Sequence, residues 1–393
     1  MAEKLNRPDV IIIGGNHHNP LGVVRSFGVN GIRPYGIIVV GKDKNSFVTK
    51  SRYWKKTWLA STDAEAIEIM KNEFSNQNQK PVVIPCSDSI AMEIDLQLDE
   101  LKEHFILPSM GERQGAIAAL MDKHKQVEFC EKNGLLMAKS WIIDLRNNKW
   151  PEDINYPVFF KPVTSAEGVK LDIRRCDDKE EAQKYSEVLR DKGYKRFLLQ
   201  EYIPFDRELE FVGSTADTDA FIISENIREW PLIGGTNSFF VVKGNIELKK
   251  CCFRILEAMK QNGFSGCFDV ELFDYKGEIY VNEFNWRNTG NSFFALGTNV
   301  HYAVIWYLSK IGEDTSLLKH TTDDEEQYAM NEATDTRHLL CHNVSFLQWF
   351  SDLKTTQNFA LWFSKDPIPA IFRYVYLICE LFKRRGAVCK KSN

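Results

Sequence analysis

One hairpin near residue 280 carries the most informative pattern of the chain. It reads Phe-Asp-Val-Glu-Leu-Phe (268–273), Asp-Tyr-Lys-Gly-Glu (274–278) and Ile-Tyr-Val-Asn-Glu-Phe-Asn-Trp-Arg (279–287). The four residues 274–277 suit a type I turn with Gly277 left-handed, which is a three-residue hairpin loop that ends in a glycine bulge. The segment therefore predicts two antiparallel strands in a register set by the turn.

That register crowds polar side chains on one face of the hairpin. Glu271 would lie opposite Val281 and Asp269 opposite Glu283, so that one face carries Asp269, Glu271, Glu283 and Asn285. The other face would point into a core with Phe268, Val270, Leu272 and Phe284. Neighbouring carboxylates repel each other unless a cation neutralises them, and oxygen-only ligands favour magnesium carried by a nucleotide. A solvated surface face is the alternative for this segment alone.

Length and charge exclude some classes of protein. A chain of 393 residues suggests two or three domains. Its 50 basic and 54 acidic residues give a formal net charge of -4. This balance does not indicate a nucleic-acid partner or a membrane held by bulk charge.

Cysteine usage and the first residues suggest a compartment. The nine cysteines are scattered without a Cys-x-x-Cys pair, so we expect reduced thiols in a cytoplasmic protein and no zinc site or disulfide framework. Residues 1–9 are charged, and no window approaches 18 apolar residues. We therefore expect neither secretion nor a membrane span.

The first third of the chain alternates strand and helix patterns. Strands are predicted at 10–13, 37–40 and 82–85, with helices at 21–30 and 64–76, which indicates a small parallel sheet with helices on its faces. The loop 14–22 lies where small ligands are often held, but it does not match Gly-x-Gly-x-x-Gly and a plain tight turn is the alternative. In this loop His17, with His18, is a candidate contact to a substrate carboxylate.

Two lysines stand out further along. A helix predicted at 112–133 carries Lys123, and the apolar strand 158–162 contains Lys161, which is costly there without an anionic partner. The following loop, 164–170, is small and could cover phosphates with its backbone amides. The alternatives are a solvated helix lysine, an edge-strand lysine and an ordinary turn.

A hinge follows at 198–210, where a strand ends at Glu201, turns at Pro204 and resumes with Glu208. Such a hinge can offer a backbone carbonyl and amide to an adenine edge, while Glu208 accepts from ribose hydroxyls. If they were only isolated charges on a turn, the two glutamates would not indicate a function.

Taken in order, these features resemble the ATP-grasp superfamily. The similarity rests on Asp122-Lys123, Phe160-Lys161-Pro162, the 165–168 loop, Gln200-Glu201-Tyr202-Ile203 with Glu208, and Glu271 with Glu283, Asn285 and Arg287. The twelve-residue step from Glu271 to Glu283 is similar to the metal-binding end of biotin carboxylase and carbamoyl-phosphate synthetase. The opening Val-Ile-Ile-Ile-Gly-Gly, residues 51–53 and Pro85-Cys86-Ser87-Asp88 look like carboxylate-amine ligases of the D-aspartate ligase kind.

The resemblance implies a mixed α/β and α+β architecture. A Rossmann-like pre-ATP-grasp domain would span 1–111, and a two-lobed ATP-grasp domain would span 112–310. Its small lobe would cover about 140–200 and its large lobe about 201–310. A helical C-terminal extension would follow at 311–393.

The resemblance also implies roles for single residues. ATP would be bound by Lys123, Lys161, Ser165, Gly168, Gln200, Glu201, Tyr202, Ile203 and Glu208. Mg²⁺, or Mn²⁺ in its place, would be held by Glu271, Glu283 and Asn285, with Asp269 as an orienting neighbour. Arg287 and Lys161 would be catalytic, offsetting the charge of the transferred phosphoryl group. Arg228 could orient the carboxylate substrate, and a salt-bridged structural arginine is the alternative.

The implied activity is an ADP-forming ligation of a carboxylate to an amine, both of them small molecules such as an amino acid or a surface-polymer precursor. The carboxylate would first become an acyl phosphate, which the amine then attacks. One alternative is an ATP-grasp sensor or scaffold without turnover. Another is a nicotinamide oxidoreductase that uses the Gly14-Gly15 loop, which the missing glycine pattern disfavours.

The end of the chain lies outside the resemblance. Residues 321–335 are acidic and suggest a connector, and 368–382 are apolar and aromatic with Lys383, Arg384 and Arg385 behind them. This segment could lie on a membrane surface as a helix. The alternative is that it packs against the body or against a second subunit in a homodimer.

Overall fold

The computed structural model describes residues 7–43, 45–147, 150–163, 172–215, 217–230, 236–244 and 246–383, with the backbone alone for 246–247 and 378–383. The chain folds into two compact units. Unit one contains the described residues up to 117, those of 210–269 and those from 285 onward, and unit two contains 118–209 and 270–284. The three consecutive domains suggested by the sequence stay a prediction.

The first part of unit one alternates strands and helices, as predicted. Its elements are β1 (Val10–Gly15), α1 (His18–Val29), β2 (Tyr35–Val39), β3 (Lys56–Ala60), α2 (Asp63–Phe74), β4 (Val82–Pro85), α3 (Asp88–Leu96), α4 (Leu98–Leu101) and β5 (Ser109–Met110), leading to α5 (Ala116–Ala119). Parallel pairing gives the strand order β3-β2-β1-β4. The predicted parallel sheet is confirmed, and it gains β3 at its edge.

The apolar run of β1 follows from coverage on both faces of this sheet. Ile11 and Ile13 pack in one cluster with side chains of α2 and α3. Ile12 packs in the other cluster, with α1 residues such as Leu21 and Phe27. A strand buried on both faces needs apolar residues at every position, which explains the continuous pattern.

Unit two is built on an antiparallel sheet. Its elements are α6 (Lys123–Lys132), β6 (Leu136–Met137), β7 (Ser140–Asp144), β8 (Val158–Lys161), β9 (Arg174–Cys176), α7 (Lys179–Asp191) and β10 (Arg196–Glu201). The order β7-β10-β8-β9 forms the sheet. Its core joins Phe160, Phe197 and Leu199 to Tyr185 and Leu189 of α7.

The helix predicted at 112–133 is wrong in its extent. The chain forms the short α5, breaks, and starts again as α6. The break follows from Asp122, whose carboxylate accepts from the His124 N–H at 2.8 Å and so caps the N-terminus of α6.

The remaining elements are β11 (Arg207–Thr215), β12 (Ala220–Trp230), β13 (Thr236–Val242), α8 (Ile246–Gln261), β14 (Phe264–Tyr275), β15 (Glu278–Asn285), α9 (Phe294–Thr298), α10 (Tyr302–Lys310), β16 (Gln327–Met330), α11 (Glu332–Leu340), α12 (Phe346–Thr355), β17 (Thr356–Phe359) and α13 (Ile368–Lys383). In unit one the strand order is β17-β16-β13-β12-β11-β14, with β5 beside β14. In unit two β15 pairs with β6 in parallel. The C-terminal part is helical, as expected, and also contributes β16 and β17 to the sheet.

Two further observations bear on the expected compartment. No helix within the described ranges is long and apolar enough to cross a bilayer. Free thiols are present at Cys86, Cys130, Cys176, Cys251, Cys252 and Cys267. Cys341 is disulfide-bonded, which corrects the expectation of reduced thiols throughout. A disulfide depends on the approach of two Cβ atoms in the fold, and cysteine spacing in the sequence does not reveal that approach.

Candidate active site

Lys161 lies at the end of β8 and is held by two amide side chains of unit two. Its Nζ donates to Gln200 Oε1 at 2.6 Å and to Asn282 Oδ1 at 3.0 Å. The amide nitrogen of Asn282 donates in turn to Glu271 Oε2 at 2.9 Å. Asn282 therefore links the strand lysine to the first of the predicted metal ligands.

Lys123 provides a second cation next to a carboxylate. It is the first residue of α6, and its Nζ lies 2.9 Å from Glu283 Oε2. The two side chains are only 12% and 17% exposed, so water screens this pair less than a surface pair. The backbone N–H of Lys123 donates to the Val163 carbonyl at 3.2 Å.

The two lysines and their partners share one electrostatic environment. Burial lowers the pKa of Lys161 to about 8, and the charge of Lys123 acts in the same direction. Glu283, Glu271 and then Glu208 oppose this shift. We call Lys123, Lys161, Glu271, Asn282 and Glu283 the lysine-carboxylate network. It brings together four of the sequence-predicted site residues.

The hairpin of β14 and β15 has a different loop from the one predicted. Lys276 and Gly277 both have positive φ, +54° and +83°, and the strands end at Tyr275 and resume at Glu278. Two such residues form a two-residue loop, so the register derived from a three-residue loop is wrong. A register shift of one residue changes which side chains meet. The contact of Glu271 with Asn282, instead of the expected Val281, agrees with this shift.

The four apolar side chains of the hairpin that were expected in a core are buried. Phe268 and Val270 are fully buried, while Leu272 and Phe284 are 1% and 2% exposed. Among the described residues, no group of three or more His, Cys, Asp or Glu side chains is arranged to hold a metal ion. The predicted set has two carboxylates and one amide, Glu271, Glu283 and Asn285, and oxygen donors of this kind suit Mg²⁺.

The predicted adenine segment is fixed by backbone contacts within unit two. The Glu201 N–H donates to the Lys139 carbonyl at 2.8 Å, and the Tyr202 N–H donates to the Pro157 carbonyl at 3.1 Å. Because these two donors are engaged, a hydrogen bond to adenine from Gln200–Ile203 would use carbonyl oxygens or the Ile203 amide. The Tyr202 ring lies under the Arg175 guanidinium, 4.5 Å from the ring centroid.

Arg287 lies in unit one among three acidic or amide side chains. Its Nε and Nη2 lie 3.0 and 3.1 Å from the two carboxylate oxygens of Asp88. Its Nη2 also donates to Asn285 Oδ1 at 3.1 Å, and its Nη1 lies 3.7 Å from Asp269. The Arg287 side chain is 15% exposed. Asp88 begins α3 and holds Arg287 in a fork of two contacts.

The loop after β15 is tied to the carboxyl end of β4 and to α1. The Asn288 N–H donates to the Pro85 carbonyl at 3.1 Å, and the Asn19 side chain donates to the carbonyls of Cys86 and Asn288 at 2.9 Å each. A Cβ at Gly14 would lie 2.7 Å from the Cys86 Cβ, so glycine is required there for close packing. This contact concerns the packing of β1, and both the tight turn and the phosphate cradle stay predictions for the loop that follows.

His17 and Arg228 have local partners in unit one. His17 caps α1, since its Nδ1 accepts from the Asn19 N–H at 3.2 Å. Arg228 Nη2 lies 2.9 Å from Asp335 and its Nη1 2.6 Å from Asp352. These ion pairs match the structural alternative that the sequence left open for Arg228. Contact of either residue with substrate stays a prediction.

Sequence reasoning missed two residues of the site. Asn282 was treated as part of the hairpin without a role, and Asp88 appeared only within a segment of family resemblance. An amide between two acidic positions of one hairpin was the available signal for Asn282. Ser165 and Gly168 lie outside the described residues, so the predicted phosphate loop stays a prediction.

Comparisons with known proteins show one sequence relative and a fold shared with solved structures. No protein-family model matches the sequence. D-aspartate ligase of Enterococcus faecium (strain Aus0004) is 26% identical over 317 residues, which cover 74% of this chain and 73% of that protein.

Solved structures share the fold. The ADP complex of N5-carboxyaminoimidazole synthetase from Staphylococcus aureus superposes with a TM-score of 0.64 at 16% identity, covering 85% of this chain and 87% of that one. L-amino acid ligase from Bacillus licheniformis gives a TM-score of 0.58 at 15% identity, covering 78% and 76%. The sequence relative and these shared folds agree with the resemblance of the motifs to the ATP-grasp superfamily.

Proposed function

We propose that the protein is an ATP-dependent, ADP-forming ligase that joins a carboxylate to an amine. The observation that carries the proposal is the lysine-carboxylate network, in which two cations and two carboxylates lie together in unit two. ATP needs cations for its phosphates and oxygen ligands for its metal, and this network contains both. The relatedness to D-aspartate ligase and the fold shared with L-amino acid ligase support the same class.

In the proposed complex, Lys123 and Lys161 turn from their present partners to the ATP phosphates. Glu271, Glu283 and Asn285 would hold Mg²⁺, or Mn²⁺ in its place. The metal would supply positive charge that offsets the charge of the phosphates. The segment Gln200–Ile203 contacts adenine, Glu208 accepts from the ribose, and the loop with Ser165 and Gly168 covers the terminal phosphate.

The proposed reaction has two balanced steps. A carboxylate oxygen of the substrate attacks the γ-phosphorus, the bond to the β-phosphate oxygen breaks, and ADP leaves. The amine nitrogen then attacks the acyl carbon, phosphate leaves, and the amine loses a proton as the amide forms. Lys161 and Arg287 offset negative charge in these steps. Asp88, and Asp269 at a longer distance, fix the direction of the Arg287 guanidinium.

The test is a substitution of one proposed ligand. Glu283→Gln keeps the size of the side chain and removes the charge that pairs with Lys123. We expect magnesium-dependent ADP release to be abolished while circular dichroism and thermal unfolding stay as in the wild type. Glu128→Gln, at an exposed carboxylate of α6, is the matched control and keeps full activity. Near-normal turnover of Glu283→Gln would remove the metal assignment.

A phosphate-release screen with amino acids and hydroxy acids, singly and in pairs, would identify the substrates. Nucleotide binding without ADP formation for any pair would instead favour the sensor or scaffold alternative. We propose cytoplasmic action, supported by the need for ATP and by the free thiols of unit one and unit two. The homodimer stays a prediction that sedimentation velocity tests.

A further inference from the structure

The last described helix, α13, presents an apolar stripe to solvent. Five side chains, each between 49% and 57% exposed, follow one another at helical spacing: Ile368, Ile371, Phe372, Val375 and Tyr376. We call them the α13 stripe. Residues three and four apart on a helix share a face, so the five lie along one side over about two turns. Contiguous exposed apolar residues of this size mark an interaction surface.

The opposite side of α13 is fixed to unit one. Ala370 is fully buried. The Tyr374 hydroxyl donates to Glu332 at 2.8 Å, and the same carboxylate accepts from the Leu361 and Trp362 N–H groups at 3.0 and 2.6 Å. The stripe is therefore held outward by contacts on the other face of the helix.

A buried ion pair reinforces this attachment just before α13 begins. Arg25 Nε lies 3.0 Å from Asp366, and the two side chains are 0% and 1% exposed. Asp366 also accepts from the Arg52 N–H at 3.0 Å. These contacts set the position of the first turn of α13 on unit one.

Cations flank the stripe. Lys50 Nζ lies 5.4 Å from the centre of the Phe372 ring, and the Arg373 guanidinium lies 5.5 Å from that of Tyr376. In the sequence, Lys383, Arg384 and Arg385 follow, and no acidic residue occurs after Glu380. An apolar helix face with basic residues at its edge and end is the composition of helices that lie in a membrane interface.

The charges also indicate which occupant fits. Lys50 and Arg373 put positive charge beside the apolar side chains, and a negatively charged surface complements that charge. Anionic lipid head groups would neutralise these cations while the acyl boundary takes up the stripe. We propose that the α13 stripe docks the protein on an anionic lipid surface, lying on the bilayer without crossing it.

The test measures sedimentation of the full chain with vesicles of phosphatidylcholine alone and of phosphatidylcholine with a quarter of phosphatidylglycerol. We expect the wild type to pellet with the anionic vesicles and to stay in the supernatant with the neutral ones. Ile371→Glu/Val375→Glu places two charges in the stripe and abolishes pelleting. Leu96→Glu/Leu317→Glu, at positions 48% and 97% exposed outside the stripe, is the matched control and pellets like the wild type.

A second variant separates charge from fold. Lys50→Gln/Arg373→Gln leaves the stripe intact and removes two cations. Each cation near an anionic surface contributes about fivefold in partitioning, so we expect a roughly 25-fold weaker association. Equal pelleting of the wild type with both vesicle types, or of the stripe variant with anionic vesicles, would overturn the proposal. So would a dimer that sedimentation velocity detects in the wild type and not in the stripe variant, because the stripe would then be covered by a second copy.

Discussion

The pKa of Lys161 makes the proposed nucleotide contact testable by pH alone. Burial lowers this pKa to about 8, while a lysine in water titrates near 10.4. The protonated form binds phosphate and the neutral form does not. Affinity for ATP should therefore fall as the pH rises through about 8, in a range where an ordinary lysine would stay charged.

The size of the effect follows from the protonated fraction. One pH unit below its pKa, Lys161 is about nine-tenths protonated, and one unit above it is about one-tenth protonated. A hydrogen bond to a charged group contributes about 1.5–3 kcal/mol. Protein with a neutral Lys161 should therefore bind ATP roughly 10- to 100-fold more weakly than protein with a protonated Lys161. Across those two pH units we expect affinity to drop about five- to tenfold.

The assay is calorimetric titration with a non-hydrolysable ATP analogue at constant magnesium and ionic strength. Lys161→Arg is the matched control, since arginine stays charged throughout this range, and its affinity should be flat across the same interval. Lys161→Met should bind weakly at every pH. A flat profile in the wild type, or an undiminished drop in Lys161→Arg, would refute the assignment of Lys161 to the phosphates.

Two further predictions concern positioning and stability. Asp88→Asn removes the charge that holds the Arg287 guanidinium. We expect kcat to fall at least tenfold, while nucleotide affinity measured by calorimetry stays within about twofold of the wild type. Loss of ATP binding would instead show that Asp88 acts on the nucleotide. Asp366→Ala leaves Arg25 buried without its carboxylate and should lower the free energy of unfolding by about 3–5 kcal/mol in urea titrations. The exposed-pair control Glu180→Ala should change it by less than about 1 kcal/mol, and equal effects of the two variants would contradict the role given to burial.

The sequence predicted the hairpin core and failed on its register for separate reasons. Alternation of apolar and polar residues is a local pattern, and it placed Val270 and Phe284 correctly in the core. The loop depended on the backbone of Lys276, which is left-handed although lysine rarely adopts that conformation. The Lys-Gly pair lacks the asparagine or aspartate that usually indicates a two-residue hairpin loop. The pairing of Glu271 with Asn282 was therefore not predictable from spacing.

Long-range partners explain what else was missed. Asp88 and Arg287 are 199 positions apart, and no periodicity links them. The helix at 112–133 was overextended because the capping contact of Asp122, which starts a new helix, was not predicted. Family resemblance suggested the lysines and glutamates of the candidate site in order along the chain. It gave no information on which of them touch.

The attachment of Asp366 to Arg25 has a consequence for synthesis of the chain. The two residues are 341 positions apart, and unit one is assembled from three separate stretches of sequence. While the chain is still emerging from the ribosome, the helix that carries Arg25 exists without the carboxylate that compensates its buried charge. Early domains often fold before translation ends, but the N-terminal sheet of this protein should reach its final packing only after the C-terminal segment has been released.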